Sequence, residues 1–164
     1  MRTYRLLLIL FLPILQGGFS IGALANEALI KVTGVVEIEN EVVVNGIKVL
    51  KRATPVKVIP GTEVIFTNTF TNVSGKIASN ITINNPISKD TLYQAGSAFG
   101  KDTDIEFSVD GGRKFASPEL LKINSPDGKQ RNALPGDYTD IRWIYKGSLP
   151  AGKLGEVGFR AVVK

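Results

Sequence analysis

From residue 30 to the end of the chain, apolar side chains alternate with polar ones almost everywhere, and turn dipeptides break the pattern every few residues. Successive strand side chains point to opposite faces, so this period of two predicts strands with one apolar face. No long stretch with a period of 3.6 competes with it. Over Ile30–Ile38 the inward set is Ile30, Val32, Val36 and Ile38, against Lys31, Thr33 and Glu37. Val42–Val49 reads as a hairpin closed by Asn45-Gly46, a pair suited to the two positive-φ positions of a type I′ turn. Thr54-Pro55 interrupts, and a short strand is predicted up to Ile59, before the turn Pro60-Gly61. Val64, Phe66 and Phe70 alternate with Ile65, Thr67, Thr69 and Thr71. Ile77, Ile81 and Ile83 form the next apolar set, against Ala78, Asn80 and Thr82, and Asn84-Asn85-Pro86 ends that strand.

The second half continues in the same way. A short strand is predicted at Leu92-Tyr93, and another carries Ile105, Phe107 and Val109. Asp110-Gly111-Gly112 turns the chain, and Lys114-Phe115 is a candidate return strand. Ser117-Pro118-Glu119-Leu120 fits one helical turn that nothing sustains. Pro126-Asp127-Gly128 and Pro135-Gly136 are further turns. Ile141, Trp143 and Tyr145 share one face of the next strand, and Val157, Phe159, Ala161 and Val163 one face of the last. Many short strands at this spacing predict an all-β sandwich or barrel, since each apolar face must be covered by another layer. The expected fold is an immunoglobulin-like β-sandwich with an extra N-terminal strand or hairpin from residues 28–58 and Trp143 as core anchor. A small barrel is the alternative. The nearest thing to a seam is Thr54-Pro55 to Pro60-Gly61.

The N-terminus follows a different logic. Arg2 and Arg5 precede an apolar run, Leu6 to Leu15, and Ala23-Leu24-Ala25 offers a small-x-small cleavage site. This order predicts a secretory signal peptide over residues 1–25, cut after Ala25. The run is about half the roughly 20 apolar residues that a membrane span needs. The mature chain, residues 26–164, would hold 164 − 25 = 139 residues, a length that suits a single domain. The full chain carries 20 basic and 15 acidic residues; without Arg2 and Arg5 the formal charge falls from +5 to 18 − 15 = +3. The expected location is the periplasm or the exterior, with no integral membrane segment left after cleavage.

Composition then narrows the chemistry. The chain has no histidine and no cysteine. Ser-His-Asp and Cys-His catalysis are excluded, as are imidazole or thiolate zinc sites, disulfides and a lipid-bearing N-terminal cysteine. Carboxylates, lysines, hydroxyls and backbone remain. No cofactor and no catalytic activity are expected.

From Pro60 onward, several stretches resemble a known family. Pro60-Gly61-Thr62-Glu63-Val64-Ile65-Phe66-Thr67, Thr71-Asn72, Asn80-Ile81, Asn85-Pro86-Ile87 and Tyr93-Gln94-Ala95-Gly96-Ser97 are similar to the domain of unknown function 11. Phe107-Ser108-Val109-Asp110-Gly111-Gly112, Tyr138-Thr139-Asp140-Ile141-Arg142-Trp143 and Leu149-Pro150-Ala151-Gly152 resemble a single-copy exported subgroup. The resemblance spans about residues 55–163. It implies an immunoglobulin-like module of a bacterial surface or envelope, and it carries no catalytic residues. The matched residues read as turn and strand formers: Asn72, Asn85 and Asp110 end strands or start turns by bonding their own backbone.

Four constellations are candidate sites. Asp102-Thr103-Asp104, Glu106 and Asp110, joined by Asp137 and Asp140 if the fold gathers them, offer oxygen ligands of the kind calcium takes, although Lys101 is adjacent and the EF-hand spacing is missing. Lys51-Arg52 with Lys57 is the one basic concentration. It lacks the interleaved aromatics of a nucleic-acid surface, and no nucleic-acid partner is expected. Edge-strand lysines that discourage aggregation explain it better. Asn72-Val73-Ser74 and Asn80-Ile81-Thr82 match the N-glycosylation pattern, which has little meaning in a bacterium. Finally, Ile30–Ile38 and Val157–Val163 are candidate open edges for pairing with a partner strand. The expected function is a structural or protein-interaction module of the bacterial envelope, contacting another envelope protein or a surface polymer. A calcium- or carbohydrate-binding module is the alternative.

Overall fold

The computed structural model of the chain describes residues 30–164, so the expected export signal over residues 1–25 lies outside the described residues. The described residues form β1 (Ile30–Val44), β2 (Ile47–Ala53), β3 (Glu63–Asn72), β4 (Thr82–Pro86), β5 (Thr91–Tyr93), β6 (Phe99–Gly100), β7 (Thr103–Ser108), β8 (Lys122–Asn124), β9 (Gln130–Asn132), β10 (Asp140–Tyr145) and β11 (Leu154–Val163). Single 3-10 turns lie at Pro118–Leu120 and Pro135–Asp137. The first matches the helical turn expected at Ser117–Leu120.

The strands make an all-β sandwich. One sheet runs β2-β1-β3-β11-β5, with β6 also on β11; the facing sheet is β4-β10-β7. All pairings are antiparallel. Among the described residues no strand pair joins the two sheets, so they face each other as layers and do not close into a barrel. β8 and β9 form a separate small hairpin. The turn at Pro126-Asp127-Gly128 was legible in the sequence, but these three-residue strands were not, being too short to show a period.

The core lies between the sheets. Trp143, Ile141, Val157, Phe159 and Ala161 are fully buried, with Phe70, Val64, Ile83 and Phe107 beside them. Phe66 stacks on Phe159 at 4.8 Å between ring centres, and Tyr93 meets Phe107 at 5.3 Å. Space for the Phe70 ring comes from Gly155, directly opposite it on β11; a Cβ at Gly155 would run into that ring. The alternation read in β10 and β11 is the alternation observed; in β3 and β7 the faces read as outward are buried too, with Ile65 at 1% and Ser108 at 0% exposure.

Two expectations are corrected. No strand forms between Ala53 and Glu63. The register pairs Ile38 with Ala53, so the next inward-bonding step would set Pro55 opposite Val36; proline has no N–H to give, and the ladder stops. In addition, Ile77 is exposed at 67% and Ala78 is buried. Only an isolated bridge, Ala78 to Leu149, forms there. Asn80 takes φ of 57°, which breaks the extended run and resets its alternation, so Ile81 and Ile83 face the core while Ile77 does not.

Candidate functional site

Of the two candidate edges, the structure selects one. β11 is internal: it pairs with β3 along one side and with β5 and β6 along the other. Val157–Val163 is therefore not an open edge, which corrects that expectation. A strand with three of its four apolar residues fully buried on one face is the centre of a sheet.

β1 is different. Over Ile30–Glu37 it pairs with β3, and over Ile38–Val44 with β2. Backbone direction decides which sides these are. Asn72 donates its N–H to Lys153 and accepts from Gly152, so its backbone faces β11. Alternate residues of an antiparallel strand face opposite neighbours. Ile65, Thr67, Thr69 and Thr71 therefore face β1, and they bond Glu37, Val35, Thr33 and Lys31. Ile30, Val32, Gly34 and Val36 turn their N–H and C=O groups to the other side. Past Ile38 that side is taken by β2. Along Ile30–Val36 it is open, with no hydrogen-bond partner among the described residues.

β1 also outruns its sheet. It is 15 residues long, and its distal half continues with β2 as a two-stranded arm. Asn45 and Gly46 close the arm with φ of 52° and 80°, the type I′ turn expected there. Its two faces differ. Val42, Val44, Ile47 and Val49 share one face with Ile38 and Ala53, the same face that β1 turns toward the opposite sheet. Val44 is 50% exposed and Ile47 66%. The other face carries Glu39, Glu41, Lys48 and Arg52, plus Val43 and Leu50. Glu41 pairs with Lys48 at 2.7 Å and Arg52 with Glu39 at 3.2 Å. The arm is thus an amphipathic ribbon whose apolar face extends past the facing sheet.

A clamp holds its base. Arg160 of β11 donates to both oxygens of Glu39, at 2.9 and 3.0 Å, and to Glu63 at 2.6 Å. One guanidinium so joins β1, β3 and β11, and Arg52 adds β2 through Glu39. Arg160 and then Arg52 hold the Glu39 carboxyl below the usual carboxylate range. Below this clamp a groove separates β1 from the segment before β4, lined by Ile30, Val32, Ile77, Ile81 and Ile83.

The other candidates are dispersed. Asp102, in a left-handed turn with φ of 55°, and Asp110 flank opposite ends of β7, whose six residues span roughly 20 Å at the usual strand rise. Asp104 pairs with Lys146. Asp110 accepts the N–H groups of Lys114 and Arg113, each at 3.0 Å, and the Ser108 hydroxyl at 2.8 Å. The Lys114 amide, Ser108 and Arg113 lower its pKa. Asp137 is forked onto Arg131 at 2.7 and 3.0 Å and bonds the Leu134 N–H. Among the described residues no three acidic groups gather where a metal could sit. The basic concentration is dispersed as well: Lys51 faces the apolar side of the arm, opposite Asn40, and Arg52 the charged side, opposite Glu39. Tyr93 and Tyr138 line two adjoining hollows, but both rings are buried and neither presents a flat face for a sugar.

The strand-ending roles read for the polar residues have a structural counterpart. Asn72 accepts the Ser74 N–H at 3.0 Å, an Asx turn on its own backbone, and also donates to the Lys76 and Leu149 carbonyls at 2.7 Å each. Asn85 does something local reading misses: besides donating to the Pro86 carbonyl, it accepts from Asn68 at 3.1 Å, linking β4 to β3 across the two sheets. Among the described residues no helix is long and apolar enough to cross a membrane. Comparison with protein-family models, with curated proteins and with solved structures finds no match to this chain.

Proposed function

We propose that this chain is an exported, non-enzymatic, immunoglobulin-like module of the bacterial envelope, related to the domain of unknown function 11, and that it works by binding protein through β1 and the arm. The observation that carries this reading is the pairing of an open backbone edge, Ile30–Val36, with an apolar ribbon face on the same strand. An open edge offers N–H and C=O groups to an added strand, and side chains beside it supply specificity. A two-stranded ribbon is marginal in water by itself, and burial of its apolar face would stabilise it. The absence of histidine and cysteine from the chain agrees with a binding role.

Cell fractionation with site-specific photo-crosslinking tests the reading. The full chain, with the crosslinker at Val44 or at Ser125 on the far hairpin, is expressed in a bacterium. The expected product begins at Asn26, lies outside the cytoplasm, and crosslinks to protein from Val44 but not from Ser125. An uncleaved chain in the cytoplasm, or equal crosslinking from both positions, would refute it.

A further inference from the structure

We infer that the open edge of β1 is a self-pairing surface, on which two copies of this chain join their Ile30–Val36 segments antiparallel about a two-fold axis. This deepens the interaction-module reading and rests on it.

Self-complementarity is the argument. A two-fold pairing that uses all four outward-facing residues has one register: Ile30 opposite the partner's Val36, Val32 opposite the partner's Gly34, and Thr33 opposite the partner's Thr33. Each of these outward residues has an N–H and a C=O turned to the open side, and each would exchange both with its opposite number. The same register sets Lys31 opposite the partner's Val35, one diagonal step from the partner's Glu37 and on the same face. Long side chains reach across such a diagonal. Lys31 and Glu37 have no ion-pair partner among the described residues. Two symmetric Lys31–Glu37 pairs therefore form without any like charges meeting. Shifting the strands by two residues toward Val32 would instead bring the two Lys31 side chains to neighbouring positions. Shifting them the other way would set the partner's Ile30 opposite Ile38, the place on that edge where Ala53 of β2 is already paired.

The neighbouring edge shows what protection looks like. β2 carries Lys48, Lys51 and Arg52, and pairing it with itself would oppose like charges. The Ile30–Val36 edge has no proline and no bulge, and its one lysine is matched by Glu37. On its inner face Val32 and Val36 are 48% and 38% exposed; the added strand brings the same side chains from the second copy beside them. The apolar residues involved are β-branched aliphatics, without the Trp and Tyr that mark a membrane interface, so a protein strand suits the edge better than a lipid surface. The contact is shorter than a standard interface, which places it among weak, reversible dimers.

The test uses the mature chain, residues 26–164, and starts from its lack of native cysteine. Directly opposed residues that are not hydrogen-bonded lie about 4.5 Å apart at Cα, within disulfide range. Thr33→Cys is expected to oxidise to a covalent dimer under mild conditions, while Leu50→Cys, exposed on the arm, stays monomeric. Sedimentation velocity from about 5 μM to 1 mM is expected to show a reversible dimer. Lys31→Glu should weaken it about tenfold, and adding Glu37→Lys should restore it. The buried Trp143 reports folding of each variant through its emission, and the charge-reversal pair reads the same contact should Thr33→Cys not fold. A chain monomeric throughout that range, equal crosslinking of the two cysteine variants, or no recovery in the double charge variant would overturn the proposal. Crosslinking of Val44 to a different protein in cells, with no dimer in solution, would overturn it and leave the interaction-module reading standing.

Discussion

Thr67 and Trp143 each bury a polar atom, the Oγ1 and the Nε1, with no hydrogen-bond partner. An unmatched buried hydroxyl carries its desolvation cost uncompensated. Thr67→Val keeps the shape and removes that group, so chemical denaturation is expected to show a gain of about 1 kcal/mol. Trp143 is fully buried in the middle of β10, and Trp143→Ala should cost about 3–5 kcal/mol, the range for large aromatic truncations. Charged residues add a pH dependence. Asp110, Asp137 and Glu39 all have lowered pKa values: the first through backbone N–H groups and Ser108, the others chiefly through arginines. Their unfolded forms take up protons first as pH falls. The stability they contribute is therefore complete above the ordinary carboxylate range of about 4 and is lost as pH drops through the folded values. Thermal melts between pH 6 and 2 should show the midpoint falling in that acid window, and Asp110→Asn should flatten the fall.

At the scale of elements, the arm and its clamp separate cleanly. The arm leaves the sheet beyond Glu39, and Arg160 secures that point. Arg160→Ala removes the fork on Glu39 and the bond to Glu63 together. Hydrogen exchange is expected to accelerate across Ile38–Ala53 while β10 and β11 keep their protection; uniform acceleration would mean that the clamp belongs to the core. At the tip, Gly46 sits at φ of 80°, and Gly46→Ala should loosen the arm by about 1 kcal/mol of turn strain. Local pattern predicted this hairpin well, because Asn-Gly sets its geometry within four residues. The same kind of reading failed at Ile77, where the positive φ at Asn80 resets the alternation, and at residues 54–62, where Pro55 ends a ladder that side-chain pattern alone would continue.

For the whole molecule, the core and the exposed edge are separate structures. The buried set lies between the two sheets and takes nothing from Val42–Val49. Shortening the hairpin to join Asn40 to Lys51 through a new Asn-Gly turn is therefore expected to leave the melting temperature within a few degrees, while removing any binding that depends on the apolar ribbon face. The acidic residues show the same separation by position. Asp102 and Asp110 are near in sequence, yet a strand intervenes and carries them to opposite ends of the sandwich, so neighbourhood in the chain did not become neighbourhood in space.

The sequence by itself determined most of the longer strands, many of their inward faces, the turns at Asn45-Gly46 and Asp110-Gly111, and Trp143 as the centre of the core. These follow from backbone preferences and a period of two, which act over a few residues. Tertiary structure decided which strand is central and which is an edge, that β11 is enclosed while β1 stays open, and that Arg160 finds Glu39 across 121 positions of chain. Those depend on how distant strands come into register, and residues so far apart share no local signal that either one carries alone.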